Sequence, residues 1–415
     1  MRKIMCVGLM LIVVCGSFLG CTKYEPYKIQ ATDLMKHIQA APVTGAEADN
    51  TFISAVADFS FDLFKEALDT EDSTLVSPLS VLLALAMTAN GAEGQTRQQF
   101  EAVLGGGMAM QELNEYLYSF VKSLTSQNKS VLEIANSIWF KEGEINVLEE
   151  FLQTNADYYG AAAYGGAFDE STVDDINAWV KAQTKGLIDK ILEQIPADAV
   201  MYLINTVYFD AEWLRPYTDS HPRVFTANSG AKQTAPFMSS DETLYLTDAH
   251  ARGFIKPYVN NHYSFAALLP NEGISVHDYI NSLSGGKFVT ILNNAQNALV
   301  ATSMPKFEYE FELSLVDALQ ALGITEAFNP FNADFSRIGT TDYYENLFIS
   351  DVLHKTFITV DLKGTKAAAV TSVAVNGAES APEYIDYIVL ERPFIYAIVD
   401  NATNLPLFIG AVLNV

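Results

Sequence analysis

The order of elements along this chain limits the folds open to it. Apolar residues recur at helical spacing through most of the first half, and the second half reads mostly as strands. Phe52, Val56, Phe59, Leu63 and Leu68 mark an amphipathic helix over 50–69. Ser77-Pro78 opens a second, with Ser77 as cap and Pro78 in its first turn, and Asn90-Gly91 stops it. Thr96 caps a third that ends at Gly105, and 148–159, 172–184 and 313–322 complete the helices. Residues 132–140, 200–209, 254–255, 264–269, 299–307, 395–399 and 407–412 read as strands. No β-α-β alternation links them, which argues α+β over a doubly wound parallel sheet.

All three cysteines, Cys6, Cys15 and Cys21, fall in the first 21 residues. The start Met1-Arg2-Lys3, the apolar run 4–19 and Gly20-Cys21 form a secretory leader. A small residue followed by Cys resembles a bacterial lipoprotein signal, which implies a lipid on Cys21; Phe18 departs mildly from that pattern. Residues 1–20 are then signal peptide, 21–50 a lipid-anchored tether, and 51–415 one domain. Within the tether, 34–39 can form a short helical turn. Beyond Cys21 no internal disulfide and no thiolate chemistry is available, so the exported chain depends on its core. The formal net charge of −25 repels nucleic acid and anionic headgroups, which leaves the lipid as the membrane contact. Six scattered histidines lack metal-ligand spacing, and neither a nucleophile elbow nor a phosphate-binding Gly loop is present. Neither cofactor nor metal is expected, and the chain does not read as an enzyme.

Near the C-terminus, Gly364-Thr365-Lys366-Ala367-Ala368-Ala369-Val370-Thr371 is small and carries one charge. At a strand's period of two, Thr365, Ala367, Ala369, Thr371, Val373 and Val375 share one face, and Lys366 lies on the other. Taken alone, the stretch also fits an Ala-rich surface linker. A loop with this alternation is one that can become a strand.

Several segments together resemble the serpins, inhibitors of serine and cysteine proteases. The 364–371 stretch is similar to the hinge of inhibitory members. Ser77-Pro78-Leu79-Ser80, Ala84-Leu85-Ala86-Met87 and 91–96 resemble the early helix pair. Ala135-Asn136-Ser137-Ile138-Trp139 and Asn205-Thr206-Val207-Tyr208-Phe209, followed by Trp213, look like central-sheet strands. Ile176-Asn177-Ala178-Trp179-Val180 with Thr184-Lys185-Gly186 resembles the helix across that sheet. Met304-Pro305-Lys306-Phe307, Leu322-Gly323, His354-Lys355-Thr356-Phe357 and Arg392-Pro393-Phe394 complete the ordered series. The resemblance implies three β-sheets, about eight or nine helices and an exposed reactive-centre loop over about 362–392.

It further implies covalent trapping. A protease attacks the loop and forms an acyl-enzyme, and the cleaved loop inserts as a new strand before deacylation. Some dozen new ladder hydrogen bonds at roughly 0.5–1.5 kcal/mol each would supply on the order of 10 kcal/mol. Ser77, Ser80, Asn205 and His354 match the sheet-opening polar cluster, and Trp213 the place where the loop first inserts. The family spacing from Gly364 puts the bait bond between Ala378 and Glu379, with Val375, Asn376, Gly377 and Ser380 as the flanking protease-binding residues. No Lys or Arg lies between Lys366 and Arg392, so trypsin-like targets are disfavoured and elastase-like, subtilisin-like or papain-like proteases are expected. The expected assembly is a monomer able to form loop-sheet polymers.

Two residues depart from the family pattern. Leu362 stands where inhibitory members carry a Glu that pairs with a Lys, here Lys306. Lys256, before Pro257-Tyr258, replaces an apolar residue. A non-inhibitory serpin acting as a binding or structural envelope protein is the alternative; its usual sign, a bulky, charged or Pro-containing hinge, is missing.

Overall fold

The computed structural model describes residues 27–125, 130–197, 199–365 and 383–415. Two large sheets and a two-stranded ribbon organise them. The first has seven strands in the order Thr32–Asp33, Ala162–Gly166, Ser130–Lys141, Met201–Glu212, Gly364–Thr365, Asp351–Val360 and Phe307–Ser314. The second has nine, running from Asp386–Val389 at one edge to Thr74–Val76 at the other, with His221–Thr226 paired alongside Lys232–Thr247. Nine α-helices are present among the described residues.

The Met201–Glu212 strand lies at the centre and shows why the layers form. Its sequence is an almost unbroken apolar run, the pattern of a strand covered on both faces. Alternation splits it cleanly. Tyr202 and Ile204 face a small core with Ile176, Trp179 and Val180 of the Glu170–Gln183 helix. Met201, Leu203, Val207, Phe209 and Ala211 face the main core. The Pro78–Ala89 helix is buried along its whole length and contacts strands of both large sheets, as its predominantly apolar sequence requires.

Several local expectations change. Ser77 occupies the cap position, but its hydroxyl donates to Leu407 O (2.8 Å) instead of capping the helix. The third helix begins at Gly94, and Thr96 lies inside its first turn, accepting from Asp334 N–H. The 313–322 helix is shortened to Val316–Leu322, because Leu313 and Ser314 finish a strand paired with 351–360. A further helix, Met110–Thr125, buries Leu113, Leu117, Phe120 and Leu124 at i, i+4, i+7 and i+11. It went unread in the sequence.

Residues 27–49, expected within the tether, lie against the domain. Gln30 and Ala31 N–H groups donate to the buried Asp175 carboxylate (2.9 and 2.6 Å). Thr32 and Asp33 pair antiparallel with Gly165 and Tyr164, which covers the edge of the seven-stranded sheet. Ile29 and Ala31 pack on the small core, and Leu34, Met35 and Ile38 on the main one. The reason is that Asp175, buried on a helix, needs donors its own helix does not provide. Asp175→Ala should therefore lower unfolding stability by about 2–3 kcal/mol, the scale of charge-assisted hydrogen bonds. Urea unfolding measures that loss, and limited proteolysis should show cleavage within 27–49 that the parent chain resists.

Candidate functional site: the gap in the central sheet

The Met201–Glu212 and Asp351–Val360 strands run parallel but pair only in part. Tyr202, Leu203, Ile204 and Asn205 oppose Asp351, Val352, Leu353 and His354. Further along, Gly364 and Thr365 sit between them, antiparallel to Glu212 and Ala211, with Thr365 also opposite Val360. Between these two zones the described residues show no pairing across the gap. Val207, Tyr208 and Phe209 face Phe357, Ile358 and Thr359 across a narrow cleft that ends at Thr365. Leu187 and Ile188 and, from the other sheet, Ile398 and Phe408 complete its lining.

Two residues of the hinge are thus already strand. Gly364 is required there, since a Cβ would meet Ala211 O at 2.0 Å. Thr365 is 3% exposed and points inward, with its hydroxyl 2.5 Å from that of buried Tyr258. The other hinge residues (Lys366, Ala367, Ala368, Ala369, Val370 and Thr371) lie outside the described residues. So do the bait positions Val375, Asn376, Gly377, Ala378, Glu379 and Ser380, and Cys21. On the far side, Asp386–Val389 pairs parallel with Gln296–Pro305 at the edge of the nine-stranded sheet.

At the closed end of the gap, the structure brings Ser77, Ser80, Asn205 and His354 together. All four are buried. Asn205 Nδ2 donates to Ser80 O (2.7 Å) and to Asn136 Oδ1, and Ser77 N–H donates to His354 Nε2 (3.2 Å). An accepting Nε2 assigns the imidazole proton to Nδ1, and Nδ1 has no hydrogen-bond partner. Ser80 Oγ and Asn205 Oδ1 are also without partners. Buried orphans of this kind are rare and cost free energy. Asn136 belongs to it too; its contribution was not legible, because the strand register that brings it opposite Asn205 is non-local.

At the open end, Trp213 is fully buried and stacks on Tyr258 (4.5 Å between ring centres). Its indole N–H donates to Asp361 O (2.9 Å), its backbone N–H to Lys363 O (2.7 Å), and Tyr217 N–H to Leu362 O (2.8 Å). Leu362 packs against the main core, so an apolar residue suits this site. Among the described residues no group of His, Cys, Asp and Glu is placed to hold a metal.

The comparisons with known proteins agree with this geometry. The model of the Serpin (serine protease inhibitor) family matches residues 54–415. A leukocyte elastase inhibitor of Xenopus laevis is 30% identical over 86% of this chain and 97% of its own. The crystal structure of a thermophilic serpin, tengpin, in its native state is 51% identical, covers 93% of this chain and 100% of its own, and superposes with a TM-score of 0.89. The same serpin in its latent state is 48% identical, covers 90% and 100%, and superposes with a TM-score of 0.80. The chain belongs to the serpin family and has the serpin fold. Members of that family are generally protease inhibitors rather than catalysts.

His354 gives the site a pH dependence. Burial pushes its pKa down from 6.5 to about 4, so the fold holds the neutral ring. The unfolded chain binds a proton at this group between those values. The stability the neutral ring contributes is complete above pH 6.5 and is lost as pH falls through about 4, an effect of about 3 kcal/mol. Urea unfolding from pH 7 to pH 4 should show this slope, and His354→Gln should flatten it.

Proposed function

We propose that this protein is a suicide-substrate inhibitor of proteases that accept small uncharged residues: serine proteases of elastase-like and then subtilisin-like type, and cysteine proteases of papain-like type. The carrying observation is the unfilled gap between Met201–Glu212 and Asp351–Val360, with Gly364 and Thr365 already zipped into its mouth. The protease serine attacks the carbonyl carbon of Ala378, and the amine of Glu379 leaves, which gives an ester-linked acyl-enzyme. The freed strand beyond Thr365 then continues between the two flanking strands and pairs with both. Insertion completes the ladder while Thr365, Ala367, Ala369 and Thr371 turn toward the interior. The small bait residues and the resemblance to a chain named leukocyte elastase inhibitor support the elastase-like target.

Each molecule acts alone on one protease, and the same gap would accept a neighbour's loop and build loop-sheet polymers. The leader and Cys21 support export and a lipid anchor in a bacterial envelope, or secretion. No helix among the described residues is long and apolar enough to cross a membrane. The non-inhibitory reading rests on Leu362, whose apolar setting in the fold weakens it as a sign of lost function.

Residues 22–415, incubated with pancreatic elastase, should give a band at the summed mass on a denaturing gel and a released peptide beginning at Glu379. Cleavage with neither such a band nor a rise in heat stability would favour the non-inhibitory reading. Thr365→Arg or Ala367→Arg should convert inhibitor to substrate, because burying a charge on the inward row is costly. An unchanged yield of covalent product in these variants would refute the insertion mechanism.

A further inference from the structure

The chain leaves the Asp351–Val360 strand through a tight reversal. Asp361 Oδ1 accepts from Lys363 and Gly364 N–H (2.7 and 3.2 Å), and Asp361 N–H donates to Gly364 O (2.9 Å). Three successive carbonyls of this hairpin, those of 361, 362 and 363, are held by Trp213 and Tyr217. The 213–217 segment is therefore the floor on which the hinge rests.

A buried cation fixes that floor. Lys256 is 1% exposed, and its ammonium lies 2.7 Å from Glu242 Oε1 and 3.3 Å from Ser240 Oγ. Ser240 Oγ also donates to Glu242 Oε1 (2.6 Å), so the pair is hydrogen-bonded as well as charged. The same ammonium sits 4.1 Å from the Tyr217 ring centre and 5.6 Å from that of Trp213. Cation–π attraction is strongest for such desolvated groups. Burial pushes the Lys256 pKa down while Glu242 pulls it up.

We propose that Lys256, with Glu242 as counter-ion, is a positioning residue for the insertion step: through the Trp213 and Tyr217 rings it holds the 361–365 hairpin in the register from which the reactive loop zips. Cleavage of the bait bond is untouched by it. What changes is the race between insertion and deacylation, so this role rests on the inhibitor reading above.

The test uses two variants of the chain over 22–415. Lys256→Met/Glu242→Gln removes the cation and its counter-ion together and so avoids a stranded buried charge. Tyr217→Leu removes one ring and leaves the ion pair. With pancreatic elastase, each folded variant should be cut at the parent rate. The ratio of covalent complex to cleaved product should fall about tenfold, within the scale of a desolvated cation–π contact. The rate at which the cleaved loop gains heat stability should fall by the same factor. A loss of thermal midpoint with parent-like ratio and insertion rate in either folded variant would overturn the proposal and leave Lys256 a packing residue. Should the double variant not fold, Tyr217→Leu decides alone. A parent chain that inserts after cleavage but never forms complex would defeat the inhibitor reading, and the insertion rates would still judge Lys256. A parent chain whose cleaved loop does not insert would overturn the proposal.

Discussion

Everything else in this molecule is arranged around a hydrogen-bond ladder left unmade. Two long parallel strands meet over 202–205 and 351–354, then part around the first two residues of a third. In most sheets such a gap would close, because unpaired peptide groups and half-covered apolar side chains both favour pairing. Here closure is opposed at the mouth. Gly364 and Thr365 hold the mouth open, and the His354–Asn205 cluster marks where the two strands come together. The space between is lined by Val207, Phe209, Phe357 and Ile358, which suits the small side chains of the sequence that follows Thr365.

The two ends use different physics. The closed end is polar and incompletely satisfied: His354 Nδ1, Asn205 Oδ1 and Ser80 Oγ are buried without partners. The open end is aromatic and charged, with Trp213 and Tyr217 around Lys256 and Tyr258 stacked on Trp213. Trp213 and Tyr217 hold the 361–363 carbonyls there, although the Tyr217 hydroxyl is itself buried without a partner.

The fold also extends beyond its family core. Residues 27–49 add an edge strand to the seven-stranded sheet and fasten to Asp175. An exposed edge strand invites pairing with other chains, and this segment occupies it. In a chain with no cysteine beyond position 21, this fastening is non-covalent.

The sequence by itself determined the elements whose cause is local. The largely apolar run at 201–209 reads as a covered strand, and Ser77-Pro78 with the apolar residues after it as a helix that stops at Asn90-Gly91. The amphipathic pattern of Met110–Thr125 was equally legible, though unread. Tertiary structure alone decided what rests on contacts between distant residues. It put Asn136 against Asn205, spent the Ser77 hydroxyl on Leu407 and docked residues 27–49. The clearest case is Lys256, which stood out in the sequence as a charge in an apolar position with no visible purpose. Its counter-ion is on a neighbouring strand and its two rings are on the 213–217 segment, and only the packing of two strands against that segment could bring them to one point.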